Sequence, residues 1–290
     1  MLATGSRHLN TLCITGGDQL YVTTPVGDLE TAENCSAHEV AATEIMMWQQ
    51  KIPAVVVRGL DPDSYSSRFA IELAGNLGIP HMTVQHHHSH VAAVCMEHAL
   101  MGPVMGLVLD QTGMGTDGSS WGGELLCVDG ADFTRLGHFV PLVKPGGTIA
   151  EREPWRLAAG VLHQLRRGDE IRRRFREHPD APELAAMLIE QRNCTYSTSA
   201  NMFATIATLF LRLMPSPESG LSPLQALEIA AQRYFEGDYV PMRDTRWRID
   251  ANGNLDLYPL LEHLIDEGNR DRGAAGFHAN LVAGGGQWSI

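Results

Sequence analysis

The first hundred residues alternate short apolar runs with longer amphipathic ones. Thr11-Leu12-Cys13-Ile14-Thr15 and Leu20-Tyr21-Val22-Thr23-Thr24 are rich in β-formers, and Gly16-Gly17-Asp18 between them predicts a hairpin. Residues 33–50 place Val40, Ile45, Met46 and Trp48 along a helix, with Pro53 beyond its end. Ala54-Val55-Val56-Val57 is continuously apolar, the pattern of a strand buried in a parallel sheet. Asp61-Pro62-Asp63-Ser64 opens a second helix that runs to about Leu77 and closes at Gly78. Residues 79–84 predict a short buried strand. Val91, Cys95 and Leu100, with Ala92 and Ala93 between, predict a third helix. With one further strand near the N-terminus, the order is β-β-β-α-β-α-β-α.

A second unit is expected to begin at Val104, dividing the chain into residues 1–102 and 103–290. Residues 104–110 form an apolar strand ending in Asp110, residues 111–120 a polar Gly- and Thr-containing loop, and residues 121–128 a return strand. Glycines there would let backbone N–H groups face an anion, but the Walker lysine is absent; an ordinary Gly-rich hairpin fits the same residues. Residues 144–156 are expected to form a loop followed by a helix, with Arg152 and Arg156 near its start, that continues to about Arg167. Further helices are expected over 184–191, 202–214, 224–235, 260–266 and 274–282, and a hairpin around residues 250–254. Arg152 and Arg156, with Glu153, suit either an anion or a surface ion-pair set. Arg172, Arg173, Arg174 and Arg176 make a basic face, solvated or facing an acidic partner.

The chemistry concentrates in Gln85-His86-His87-His88-Ser89-His90, where four of the 13 histidines fall within five positions. His86 and His90 are four apart and share one helix face, so two imidazoles can meet one divalent metal; a polar helix cap is the plainer reading. Asp110, at a strand end, is a natural further ligand. Net charge of −12 over 290 residues argues against nucleic acid as a partner. The five scattered cysteines lack a C-x-x-C pair, which excludes a zinc ribbon and disfavours a disulfide framework. No apolar run reaches the length of a membrane span and the N-terminus lacks a secretory signal, so a cytoplasmic protein without a membrane partner is expected.

The element order of the first unit resembles the half-domain of actin-like ATPases and sugar kinases. The histidine stretch, continued as Val91-Ala92-Ala93, resembles the Q-H-H-H-A-H-I-A motif of the hydrogenase-maturation carbamoyltransferase family HypF. Asn10-Thr11-Leu12-Cys13, Gly27-Asp28-Leu29-Glu30, Asp61-Pro62-Asp63 with Ser66 and Arg68, and Leu109-Asp110 through Gly113 match further family motifs in order. So do Asp117-Gly118, Trp121-Gly122-Gly123-Glu124, Pro145-Gly146-Gly147 and Arg152-Glu153-Pro154-Trp155-Arg156. The likeness runs from about residue 2 to 282 and is densest before 160.

This resemblance implies an α/β actin-like ATPase (ASKHA) fold, with the first lobe complete and the second partial, containing a helical region. It implies a carbamoyltransferase module that passes a carbamoyl group from carbamoyl adenylate to the C-terminal cysteine of HypE in nickel–iron hydrogenase maturation. His86, His90 and Asp110 would hold a divalent metal, iron or zinc, and serve catalysis. Gly113, Gly115, Asp117, Gly118, Gly122 and Gly123 would approach the ATP-derived nucleotide. The partners implied are a HypE-like acceptor and an adenylate-forming domain on another chain. Three departures stand out. Ala204 replaces an Asp that contacts ribose in related enzymes. Gly59-Leu60-Asp61-Pro62-Asp63 replaces D-L-H-P-D. The family's later S-G-G-V-F-Q-N segment has no counterpart, so the sequence reads as a C-terminally shortened module. A non-catalytic metal- and partner-binding remnant is therefore the alternative, and sugar-kinase-like phosphoryl transfer lacks an identifiable base.

Overall fold

The chain begins with β1 (Leu2–Ala3), β2 (Cys13–Gly16) and β3 (Gln19–Val22) in a computed structural model that describes residues 1–50, 52–178, 181–190, 194–237 and 244–289. Gly17, at φ +62°, opens the two-residue loop between Gly16 and Gln19, whose twist suits a hairpin. Then come α1 (Ala32–Gln49), β4 (Val56–Gly59), α2 (Tyr65–Leu77), β5 (His81–Val84) and α3 (His86–Glu97). This is the expected order. The strands form one sheet, β3-β2-β1-β4-β5, antiparallel across β3, β2 and β1 and parallel across β1, β4 and β5.

Local signals set the helix ends. Thr31 accepts from the Asn34 N–H at the start of α1, and Ser64 from the Ser67 N–H at the start of α2; Gly78, at φ +65°, ends α2 in the left-handed conformation. α1 buries His38, Ala42 and Ile45, an i, i+4, i+7 stripe that meets Leu2, Leu12 and Ile14. Val40 and Trp48, expected to supply apolar contacts, are instead exposed. β5 also departs from expectation. It ends the sheet, and His81, Met82 and Thr83 are exposed; its apolar residues belong to an edge, not to a buried strand.

The chain divides into a unit of residues 1–89 with 114–118, and a unit of residues 90–113 with 119–290. The second unit is built on β6 (Val104–Met114), β7 (Ser120–Asp129), β8 (Asp132–His138), β9 (Leu142–Pro145) and β10 (Cys194–Ser197). Their order is β6-β7-β10-β9, with β8 pairing with β7. Among the helices, α4 (Ile149–Arg152), α5 (Trp155–Gln164), α6 (Ile171–Arg174), α7 (Ala181–Glu190) and α8 (Ala200–Phe210) precede α9 (Pro223–Glu236). The hairpin β11 (Arg248–Ile249) and β12 (Leu255–Asp256), then α10 (Tyr258–Asp266) and α11 (Arg270–Trp288), complete the unit. Its core gathers Phe139, Leu162, Phe203, Ile206, Leu261 and Phe277. No described helix is long and apolar enough to cross a membrane.

Three expectations are corrected here. The loop expected over 111–120 is half strand: β6 runs to Met114 and β7 starts at Ser120, leaving a turn at residues 115–119. α5 ends at Gln164, short of Arg167, because Arg166 takes φ +59°. α11 continues past Val282, the expected end, through Gly284, Gly285 and Gly286. Close packing accounts for two of them: a Cβ on Gly284 would lie 3.2 Å from the Trp247 ring, and one on Gly285 3.1 Å from Leu107. Gln191, the expected last residue of the helix observed as α7, lies outside the described residues.

Candidate functional site

α3 sorts the four clustered histidines. Gln85, buried ahead of the helix, accepts from the His88 N–H through Oε1 at 2.8 Å. Its Nε2 donates to His87 Nδ1 at 2.9 Å and to the Met114 carbonyl at 3.2 Å. His87 and His88 are buried, whereas His86 is half-buried and His90 exposed. The helical period thus leaves His86 and His90 on the accessible face, one turn apart. Gln85 has a role, as anchor of the helix start, that its place in the sequence motif did not disclose.

Asp110 comes from β6. Alternation along this strand turns Val104, Gly106, Val108 and Asp110 to one side. Val108 packs in one apolar cluster with Val91 of α3, and Gly106 leaves the space that Val91 fills. Asp110 Oδ2 stands 3.7 Å from His90 Nε2. Imidazole and carboxylate are thereby offered together on α3 and β6. An imidazole nitrogen and a carboxylate oxygen are donors that iron and zinc both accept, so His90 and Asp110 fit a divalent cation.

The expected nucleotide-contacting residues occupy two settings. Gly113 is in β6, while Gly115, Asp117 and Gly118 are in the following turn. Gly118 takes φ +74° and donates its N–H to the Gly115 carbonyl at 3.0 Å. Gly122 and Gly123 are buried in β7, where a Cβ would lie 2.6 Å from Ser199 Cα and 2.4 Å from the Phe139 ring, respectively. Both positions have a packing reason to be glycine.

Four of the candidate arginines are paired. Arg156 Nε donates to Glu153 at 2.6 Å, and its guanidinium lies over the Trp155 ring. Arg172 pairs with Glu183; Arg173 and Arg174 both reach Glu170, at 3.0 and 2.8 Å. Arg172 and Arg173 are more than half exposed, so these pairs contribute little stability. Ala204 is buried in the apolar core.

Within the first unit His38 is fully buried, with Nε2 donating to the Thr4 carbonyl at 3.0 Å and its ring packed edge-on against Phe69. Burial pushes this imidazole below its ordinary value; the Thr4 hydrogen bond and Glu39 oppose that shift. The unfolded chain therefore takes up the proton first. Stability from neutral His38 is complete above about pH 6.5 and is lost as the pH falls through the folded-state value. Urea midpoints are expected to hold from pH 8 to 7 and to decline below about 6.5, with His38→Gln removing that part of the decline.

An antiparallel hairpin leading into parallel β1, β4 and β5, with a histidine helix after the last, defines the Kae1-like form of the actin-like ATPase (ASKHA) fold. Residues 1–97 match the HypF Kae1-like domain, and residues 106–290 match the second subdomain of the carbamoyltransferase Kae1-like domain. Carbamoyltransferase HypF2 of Cupriavidus necator is 40% identical over 100% of this chain and 39% of its own length. The carbamoyltransferase HypF homolog of the same organism is 39% identical over 97% of this chain and 74% of its own. The HypF of Rhizobium leguminosarum bv. viciae is 32% identical, with 37% of its length covered. The crystal structure of T. kodakarensis HypF superposes with TM-score 0.85 at 23% identity, over 100% of this chain and 39% of that one. Full-length HypF in a phosphate- and nucleotide-bound form gives 0.79 at 24% identity, over 97% of this chain and 44% of that one. The chain belongs to the HypF family. It spans about two-fifths of the length of HypF2.

Proposed function

We propose that this chain is a carbamoyl-transfer module. It would pass the carbamoyl group of carbamoyl adenylate to the C-terminal cysteine of a HypE-like acceptor, as part of nickel–iron hydrogenase maturation. The observation that carries this reading is the His90–Asp110 approach at 3.7 Å beside His86, one turn away on α3, in a chain of the HypF family. His86, His90 and Asp110 would hold a divalent cation, iron or zinc. When bound there, it supplies Lewis-acid polarisation of the carbamoyl oxygen.

The chain's own residues then have defined tasks. Gln85 fixes the start of α3, so that the His86 and His90 side chains need no reordering. The turn after β6, with Gly115, Asp117 and Gly118, would approach the adenylate phosphate, with Gly113, Gly122 and Gly123 shaping the strands that carry it. The acceptor thiolate attacks the carbamoyl carbon, the bond to the phosphate oxygen breaks, and AMP leaves as the thiocarboxamide forms. The adenylate would be made by a separate adenylate-forming domain, and neither nucleic acid nor membrane takes part. A cytoplasmic setting fits this chemistry.

One observation favours a second reading. Ala204 offers the nucleotide nothing and lies in the apolar core, which suits a remnant that binds metal and partner without turnover. A transfer assay separates the two. Purified chain, carbamoyl adenylate and a HypE-type acceptor are combined, and the mass of the acceptor's C-terminal peptide is followed. A carbamoyl mass shift, lost in His86→Ala and His90→Ala, is the expected result. Bound metal without a shift establishes the remnant, and neither metal nor shift from folded protein overturns the metal assignment as well.

A further inference from the structure

Glu124 is fully buried in the second unit, yet it is a carboxylate with its charge used in several directions. Its Oε2 accepts from Arg135 Nε of β8 at 2.7 Å. Its Oε1 accepts from the Gly122 N–H at 2.9 Å and from the hydroxyl of Thr198, in the loop between β10 and α8. The Gly122 N–H is shared with Thr198 Oγ1 at 3.0 Å. A buried ion pair is weak as a source of stability, since well-packed apolar residues often do as well. What such a network does supply is direction: each bond fixes one backbone or side-chain position.

Both members of the His90–Asp110 pair lie at the ends of this network. Gly122 is the surface on which Asp110 rests: a Cβ there would meet the carbonyl oxygens of Asp110 and Gln111 at 2.9 Å, with Ser199 on its other contact at 2.6 Å. Arg135 lies flat over the Trp121 ring, 3.9 Å from its centroid. Trp121 shares an apolar cluster with Val91, the residue after His90, and with Val108, two before Asp110. One buried carboxylate therefore holds the backbone under Asp110 through Gly122 and the packing beside His90 through Arg135 and Trp121.

We propose that Glu124, with Thr198, is a positioning residue for a divalent cation held by His90 and Asp110. The inference rests on the reading of these two residues as metal ligands. Zinc titration of the folded chain, with cobalt(II) absorption as the spectroscopic readout, tests it. Glu124→Gln and Thr198→Val are expected to weaken zinc binding by roughly 10- to 100-fold and to alter the cobalt spectrum, as loss of outer support does at metal sites. Thr198→Ser, which keeps the hydroxyl, restores both. Glu151→Gln, which breaks the separate pair with buried Lys144, lowers the thermal midpoint without changing zinc affinity. If Glu124→Gln does not fold, the Thr198 pair decides alone. Wild-type binding that both Thr198 variants match within twofold overturns the inference and leaves the metal reading standing. A wild-type chain that binds neither zinc nor cobalt removes both.

Discussion

Gly106→Ala is expected to weaken metal binding by about 10- to 100-fold, although the residue is no ligand. A Cβ at this position would lie 2.4 Å from Val91 Cγ2 and 2.9 Å from Cγ1. Val91 cannot swing aside, because a β-branched side chain in a helix has one strongly preferred rotamer. The strain must therefore be relieved by moving α3 away from β6, which lengthens the 3.7 Å approach of His90 to Asp110. Overpacking of this kind costs about 1–3 kcal/mol. Val91→Ala in the same chain removes both clashing carbons, so the double variant should recover much of the affinity that Gly106→Ala loses. Zinc titration of the four proteins gives the coupling energy directly. Equal losses in the presence and absence of Val91 would show that Gly106 does not set the spacing of the pair.

Much of this arrangement was legible in the residue order. The hairpin at Gly17-Asp18, the caps at Ser64 and Gly78 and the i, i+4 spacing of His86 and His90 are local, and each was readable without a fold. What escaped was set by distant partners. Four clustered histidines look alike along the chain; burial of His87 and His88, and the hold of Gln85 on Met114, sort them. Short β10 draws its strand character from pairing antiparallel to β9 and, at Ser197, parallel to β7, neither a neighbour in sequence. The continuation of α11 past Val282 also escaped, because the missing side chains of Gly284 and Gly285 matter only opposite Trp247 and Leu107. Gly106 carried no signal either, since only the approach of Val91 gives it a reason to be glycine.

The same distinction bears on the glycine pair of β7, which the sequence motif assigned to the nucleotide. Phe139→Ala is expected to lower the unfolding free energy by about 3–5 kcal/mol, the cost of a large cavity in a packed core. Its ring is 1% exposed, edge-on to Phe203 at 5.5 Å and tilted against Trp288 at 5.8 Å. It also fills the space where a Gly123 Cβ would stand, 2.4 Å from Cδ2. Gly123→Ala alone should therefore destabilise by about 1–3 kcal/mol through overpacking. In the Phe139→Ala background the new methyl enters the cavity, and the same substitution should cost little or even stabilise. Urea unfolding followed by tryptophan fluorescence, at an unchanged m-value, measures the cycle. A Gly123→Ala penalty that is the same in both backgrounds would show that Phe139 is not what requires the glycine. If instead the penalty vanishes with the ring, Gly123 is glycine because Phe139 packs on it, and packing alone accounts for the residue.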